Sequence, residues 1–499
     1  MTRNKTVLSK GDRRLDPYEV YPLSMRDREV RFCGRARIHE GGKAMKQISP
    51  DVFRAYDIRG IVDVDFDPEW VELLGKACGT YFRRHGHAAA VLGYDCRHSS
   101  HEYCQRFAAG LMATGVDVLC VGMAPTPVFY YAVKTLGRSA GAIITASHNP
   151  PEYNGFKVWA GETTLHTDQI QDIYRIMAAA DFESGVGLYC EHDIVPAYLD
   201  ELVGQVKLES PVTVVVDGGN GAGGLICAEL LRRAGATVIP LFCDPDGDFP
   251  NHHPDPVVEE NVRALQAKVL ECGADVGLGL DGDADRLGVV DERGRLMYGD
   301  QLLAIYSREL LQRKPGATII AEAKCSHLLY RDIAAHGGAP IMAATGHSFM
   351  KAKVKETGAA LAGEMSGHMF FADRYYGFDD GIYAALRLVE ILGKTPRRRM
   401  SELLADWPPT FNTPEIRMDC PDQVKFKLVA RAQEFFRAKY EIIDIDGVRI
   451  VFPDGWGLLR ASNTQPVLVL RFEAESEQRL AEIRALIEEP LRQWLEEMS

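Results

Sequence analysis

Long apolar runs are missing from this chain, and none approaches the ~18 residues needed to span a bilayer. The polar, basic first fifty residues hold no apolar segment ending in a small-residue cleavage site, so they do not read as a secretory leader. Paired cysteine motifs are missing too. The eleven cysteines, an odd number, include no Cys-x-x-Cys. That pattern excludes a disulfide framework and fits a reduced, cytoplasmic protein with mostly buried thiols. No Gly-x-Ser-x-Gly elbow occurs, which removes the usual nucleophile turn of a hydrolase triad. The glycine-rich run Gly218 to Gly224 lacks the Lys-Ser/Thr of a phosphate-binding loop, and its glycines read as a tight strand-to-helix turn.

Excess positive charge is also lacking. The net charge is −13, yet residues 1–50 hold twelve Lys+Arg against six Asp+Glu, a balance of +6 that leaves −19 for the remainder. An acidic body argues against nucleic-acid binding, and an anionic substrate then needs a local basic cleft. Residues 1–48, basic and without periodic hydrophobicity, read as a disordered extension. A length of 499 residues, with 46% hydrophobic and 25% charged, predicts several soluble domains.

What is present is a repeat. Three times, a short apolar run ends in an acidic residue and a turn: Val91 to Asp95, Val214 to Gly219 and Ile319 to Glu322. A helical stretch follows each (101–114, 225–234, 327–335), then a second apolar run (118–121, 238–241, 340–343) and a third (141–145, 276–280, 359–362). Such alternation predicts α/β layers with parallel strands. After the third run stands a polar loop: Thr145 to Pro150, Asp281 to Arg286, and Gly363 to His368. Ligands of open α/β sheets bind beyond strand C-termini, so three equivalent loops point to three similar domains sharing one cleft. The end differs. A hairpin-like Asp444 to Arg449 with Asp-Gly at its turn, an apolar run from Val467 and a charged helix from Glu475 read as a smaller α+β domain after a linker at Trp407 to Thr410.

Asp281, Asp283 and Asp285 alternate along one loop, and carboxylates so close repel unless a cation neutralises them. Hard oxygen donors suit Mg²⁺ or Ca²⁺, with Mg²⁺ preferred. An EF-hand would need Gly where Arg286 stands and helices where the flanks are strand-like. Arg286 stands ready for an anion beside the metal. Ser147, next to His148 and ten residues before Lys157, sits where a phosphoryl group could offer oxygens to that metal. Arg460, Ser462, Asn463 and Thr464 carry the inventory of a phosphate cradle, although a polar turn between strands would carry it equally. Glu364, Ser366 and His368 suit sugar hydroxyls, or a loop cap.

Together these residues resemble the α-D-phosphohexomutase superfamily, most closely its bacterial phosphomannomutase/phosphoglucomutase branch, from about Phe53 to Phe472. Phe53 to Gly60 looks like that family's first motif. Thr145 to Pro150 looks like its phosphoserine loop, Asp281 to Arg286 its metal loop, Gly363 to His368 its sugar loop and Arg460 to Thr464 its phosphate loop. The resemblance implies three similar α/β domains with mixed, mostly parallel sheets (49–193, 194–295, 296–407) and a smaller α+β domain (408–499) around a central cleft. It implies a monomeric mutase that moves phosphate between C1 and C6 of mannose or glucose phosphates. Ser147 would be the phosphoserine, Mg²⁺ the metal, bound by Ser147 and the three aspartates, and glucose 1,6-bisphosphate the activator. Arg59, His148 and Lys157 would surround the reacting hydroxyl, with Lys157 or Arg59 assisting proton transfer, and Tyr56, Lys324 and His347 would line the cleft. The alternatives are a phosphoglucosamine mutase, a metal-dependent sugar phosphatase and a non-turning-over sensor. One departure stands out: the family's metal loop carries Gly where this chain has Ala284, a position at which a methyl group narrows the backbone's freedom.

Overall fold

The structure, a computed structural model, describes residues 33–34, 48–394, 399–462 and 466–498. Four sheets organise them. In the first, the strand Ala89–Tyr94 lies between Asp117–Met123 and Ala140–Ile144, both parallel to it, and the chain then turns back antiparallel as Tyr153–Ala160. The second repeats this with Thr213–Asp217 flanked in parallel by Thr237–Leu241 and Val276–Leu280, and with Leu287–Asp291 antiparallel. The third does so with Thr318–Glu322, Ala339–Ala343, Leu361–Gly363 and Met369–Phe371. Each sheet is therefore mixed, and each polar loop sits where the third strand reverses into the fourth. Of the basic leader, Cys33–Gly34 pairs antiparallel with Tyr189–Glu191 at the edge of the first sheet.

The fourth sheet is antiparallel, with Val448–Phe452, Gly455–Ala461 and Val467–Ala474 at its centre. The Asp-Gly turn is present: Gly447 has φ 78° between Glu441–Ile443 and Val448–Phe452. The helices Asp422–Arg437 and Glu477–Met498 cover this sheet. Among the described residues no helix is long and apolar enough to cross a membrane.

The helix Gly381–Lys394 ties the second and third sheets together. It is buried along nearly its whole length, and it packs on the helix Gly224–Arg233 and on strands of both sheets. Its start is set by Asp380, whose Oδ1 accepts from the Tyr383 backbone N–H at 2.7 Å. The hydroxyls of Tyr375 and Tyr198 donate to Oδ2 at 2.8 and 3.0 Å. Burial pushes this carboxyl up to about 6, partly opposed by those donors. The folded pKa thus exceeds the unfolded one, so the group favours folding fully below about pH 4, and that contribution is lost as pH rises through about 6. A shift of about two units corresponds to about 3 kcal/mol. Asp380→Asn keeps the cap and removes the charge. We expect it to shrink the fall in Tm between pH 5 and pH 7 relative to the parent, as measured by scanning calorimetry in matched buffers.

Candidate active site

Ser147 leaves the strand Ala140–Ile144 at φ 50°, in the left-handed region that non-glycine residues seldom enter. Its amide donates to Thr145 Oγ1 at 3.0 Å, and its hydroxyl donates to Asp281 Oδ2 at 2.7 Å. His148 Nδ1 lies 3.1 Å from the same hydroxyl. Burial, then Arg286 and Arg59, holds the His148 imidazole well below its ordinary value, so the ring is neutral near pH 7. The first and second polar loops thus meet at one oxygen.

Asp281, Asp283 and Asp285 are all fully buried, with ligand atoms within 4.8 Å of one another. Burial, followed by Asp285 and Asp283, raises the Asp281 carboxyl well above its usual range. Thr126 Oγ1 and Lys157 Nζ both donate to Asp283 Oδ2 at 2.6 Å, and Lys157 also bonds Asp285. Burial alone would lower the Lys157 ammonium, but Asp283, Asp285 and Asp379 outweigh it and hold the group above its ordinary value. Asp283 Oδ1 and Asp285 Oδ1 are buried and accept no hydrogen bond among the described residues. Unsatisfied carboxylate oxygens converging beside a serine hydroxyl fit a hard divalent cation.

Ala284 sits at φ 57° with its methyl group buried. The left-handed backbone costs about 1–2 kcal/mol. Burying the methyl offsets about 0.8 kcal/mol of this, and the loop keeps its three aspartates converging. The glycine run behind it has a packing role. A Cβ on Gly221 would stand 2.6 Å from the Gly282 carbonyl oxygen, and one on Gly223 would stand 2.3 Å from the Ala284 methyl. Gly282 in turn lies against Ser147: a Cβ there would meet the Ser147 carbonyl oxygen at 2.4 Å. Overpacking against backbone costs about 1–3 kcal/mol, and a displacement near 1 Å at a reacting atom costs about 10²-fold in rate. Gly282→Ala is accordingly expected to lower kcat about 10²-fold, with a Tm drop measurable by calorimetry.

The third loop closes on the second through Arg286, whose Nε donates to His368 Nε2 at 3.0 Å while its backbone N–H donates to Asp281 Oδ1 at 3.1 Å. Glu364 Oε1 accepts from the Gly346 N–H at 2.8 Å, and its Oε2 accepts from the Ser366 hydroxyl at 3.1 Å. Burial, then Glu322, raises the Glu364 carboxyl. His347 opens the helix His347–Thr357, stacks on His368 at 5.7 Å and meets the Tyr56 ring edge at 5.4 Å. Burial pushes the Tyr56 phenol up to about 12. Arg59, on the strand Ile58–Ile61, donates to Asn149 Oδ1 at 2.7 Å and pairs with Asp57.

From the fourth domain, Arg460 Nε donates to Asp446 Oδ2 at 2.9 Å, and the same oxygen accepts from the Thr345 N–H. Arg460 Nη2 is buried without a hydrogen-bond partner among the described residues. Lys324 Nζ reaches Glu415 at 3.0 Å. Ser462 is buried at the end of the strand Gly455–Ala461, while Asn463 and Thr464 lie outside the described residues. Contacts run from Ser147 to Asp281, from Arg286 to His368, from His368 to His347 and from His347 to Tyr56.

Sequence reasoning missed Asp379 and Lys351. Asp379 is fully buried, 2.9 Å from Lys351 Nζ and 3.1 Å from His368 Nδ1, and Lys351 also reaches His347 Nδ1 at 3.0 Å. The Asp-Asp pair directly before an apolar helix was the available signal.

Known proteins match this chain along most of its length. Family models for phosphoglucomutase/phosphomannomutase match in order: alpha/beta/alpha domain I at residues 50–184, domain II at 196–294, domain III at 298–411 and the C-terminal domain at 415–489. The chain is 44% identical over 442 residues to the phosphomannomutase/phosphoglucomutase of Pseudomonas aeruginosa, covering 88% of this chain and 95% of that one. It is likewise 44% identical over 447 residues to a phosphoglucomutase of Neisseria gonorrhoeae, covering 88% and 96%. A crystal structure of a phosphoglucomutase/phosphomannomutase family protein from Burkholderia thailandensis superposes with a TM-score of 0.83 at 44% identity, covering 88% and 96% of the two chains.

Proposed function

We propose, from the premise that the chain belongs to the phosphoglucomutase/phosphomannomutase family, that it interconverts the 1- and 6-phosphates of glucose and mannose through a phosphoserine at Ser147. The observation that carries this reading is the Ser147 hydroxyl of the first loop, which donates to Asp281 of the second at 2.7 Å. Those domains are taken as residues 49–193, 194–295, 296–407 and 408–499, in line with the four separate sheets.

In the first half-reaction the Oγ–P bond of phosphoserine 147 breaks as a bond forms from phosphorus to the free hydroxyl oxygen of the hexose monophosphate. The hydroxyl gives up one proton and Ser147 Oγ takes one, so the balance closes with serine and a hexose 1,6-bisphosphate. After the bisphosphate turns around, the same step in reverse returns the other phosphoryl group to Oγ. Mg²⁺, held by Asp281, Asp283, Asp285 and an oxygen on Ser147, would neutralise charge on the transferring group. Lys157 and Arg286 add fixed positive charge beside it, and neutral His148 is placed to exchange a proton with Oγ. Arg460, with its unpartnered Nη2, grips the distal phosphate together with Ser462, Asn463, Thr464 and Lys324. Glu364, Ser366 and His368 meet sugar hydroxyls, Tyr56 and His347 wall the ring, and Arg59 lies beside the reacting end. Glucose 1,6-bisphosphate serves as activator by phosphorylating Ser147.

The test is to supply glucose 1-phosphate or mannose 1-phosphate with Mg²⁺ and a trace of glucose 1,6-bisphosphate and to follow products by phosphorus NMR. Both 6-phosphates are expected, without stoichiometric inorganic phosphate. Phosphate release without bisphosphate would make the protein a phosphatase, and absence of turnover would overturn the proposal.

A further inference from the structure

The turn after the strand Ala89–Tyr94 carries a buried arginine that none of the chemistry above uses. The Arg97 side chain is wholly shielded from solvent. Its Nη1 donates to the carbonyls of Pro150 at 2.6 Å and Tyr153 at 3.0 Å, and its Nη2 to those of Ser147 at 2.8 Å and Asn149 at 2.6 Å. Nε donates to Asp95 Oδ2 at 3.2 Å. A guanidinium has five N–H donors, and here all five are engaged, four of them on the backbone of one seven-residue loop.

The anchor is itself anchored. Asp95 Oδ1 accepts from the Arg97 backbone N–H at 3.0 Å and from the Ser100 hydroxyl, which in turn accepts from Asn154 Nδ2 at 3.0 Å. The ring of Phe249, from the second domain, stacks against the guanidinium with its centroid 5.1 Å away. On the other side, the Ser147 carbonyl rests on Gly282 of the metal loop. Ser147 holds a φ of 50°, a conformation that persists only where the surroundings over-determine it. Four backbone carbonyls held by Arg97 and the close packing of the Ser147 carbonyl on Gly282 are that over-determination.

We propose that Arg97 is a positioning residue for phosphoryl transfer: by binding the carbonyls of the phosphoserine loop it holds Ser147 in its left-handed conformation, with Oγ aimed at the metal carboxylates. The proposal rests on Ser147 being the phosphoryl carrier. Arg97 lies behind the loop, so its loss should disturb the reacting oxygen and leave the distal phosphate grip intact. The signature is a fall in kcat with little change in KM.

The experiment compares the parent, Arg97→Lys and Asp95→Asn, each phosphorylated with glucose 1,6-bisphosphate and checked by intact mass and Tm. Single-turnover transfer to glucose 6-phosphate gives the chemical rate, and steady-state assays give kcat and KM. Lysine keeps the charge but has three donors on one atom and cannot span four carbonyls. Asp95→Asn keeps the arginine and loosens its anchor, and serves if Arg97→Lys does not fold. We expect transfer to slow about 10²-fold in Arg97→Lys, as for a displacement near 1 Å, and less in Asp95→Asn, with KM within about twofold of the parent. Faster hydrogen exchange confined to residues 147–153 should accompany it. An unchanged transfer rate in folded variant protein overturns the proposal, as does a loss of activity that only tracks the folded fraction. A parent protein that carries no phosphoryl group on Ser147 would instead overturn the mutase reading, so the two failures are distinguishable.

Discussion

Ser147→Ala is expected to lower conversion of both sugar phosphates by at least about 10⁴-fold while the protein stays folded. Losing a covalent nucleophile costs up to about 10⁶-fold, and the hydroxyls of Thr145 and Ser366 already hold hydrogen bonds, the first with the Ser147 amide and the second with Glu364. Alanine keeps the Cβ, so the left-handed backbone at this position is no more strained than before. The lost Oγ–Asp281 hydrogen bond is worth about 0.5–3 kcal/mol, the range from a neutral to a charged acceptor. Assays with purified variant and glucose 1,6-bisphosphate, alongside intact mass to show that no phosphoryl group is taken up, decide it. A variant that retains more than about a hundredth of the activity would place the phosphoryl carrier elsewhere.

Lys157→Met is expected to have the largest effect on stability. Asp281, Asp283, Asp285 and Asp379 are all fully buried, and the Lys157 ammonium bridges two of them. Methionine fills similar space but leaves those carboxylates without their nearest cation. Removing one partner of a buried ion pair costs about 3–5 kcal/mol. Added Mg²⁺ should then recover more stability in the variant than in the parent, because a ligand stabilises by its binding free energy to the folded state and no ammonium remains to neutralise the same carboxylates. Calorimetric scans with and without Mg²⁺ test this. Equal Tm shifts in the two proteins would show that Lys157 and the cation do not share a site.

Both variants probe places where local and distant information meet. The three strand–helix–strand–strand repeats could be read directly, because apolar runs of strand length, intervening helical periodicity and a polar loop after the third run are local patterns. The expected runs 91–95, 214–219 and 319–322 fall on the strands Ala89–Tyr94, Thr213–Asp217 and Thr318–Glu322. The Asp281 loop was legible for a similar reason: carboxylates at alternate positions between apolar strands demand a cation wherever the chain goes.

What the amino-acid order determined by itself was therefore the set of elements and the polar loops between them. Only the tertiary structure decided which distant groups complete them. Lys157 bonds a carboxylate 126 residues away, and Arg97 holds a loop 50 residues along the chain. Asp379 joins Lys351 to His368, with no motif marking any of the three as partners. The physical reason is that a buried charge must find an opposite charge or a carbonyl. Which one it finds depends on how sheets and loops from separate domains stack, and local periodicity carries no record of that.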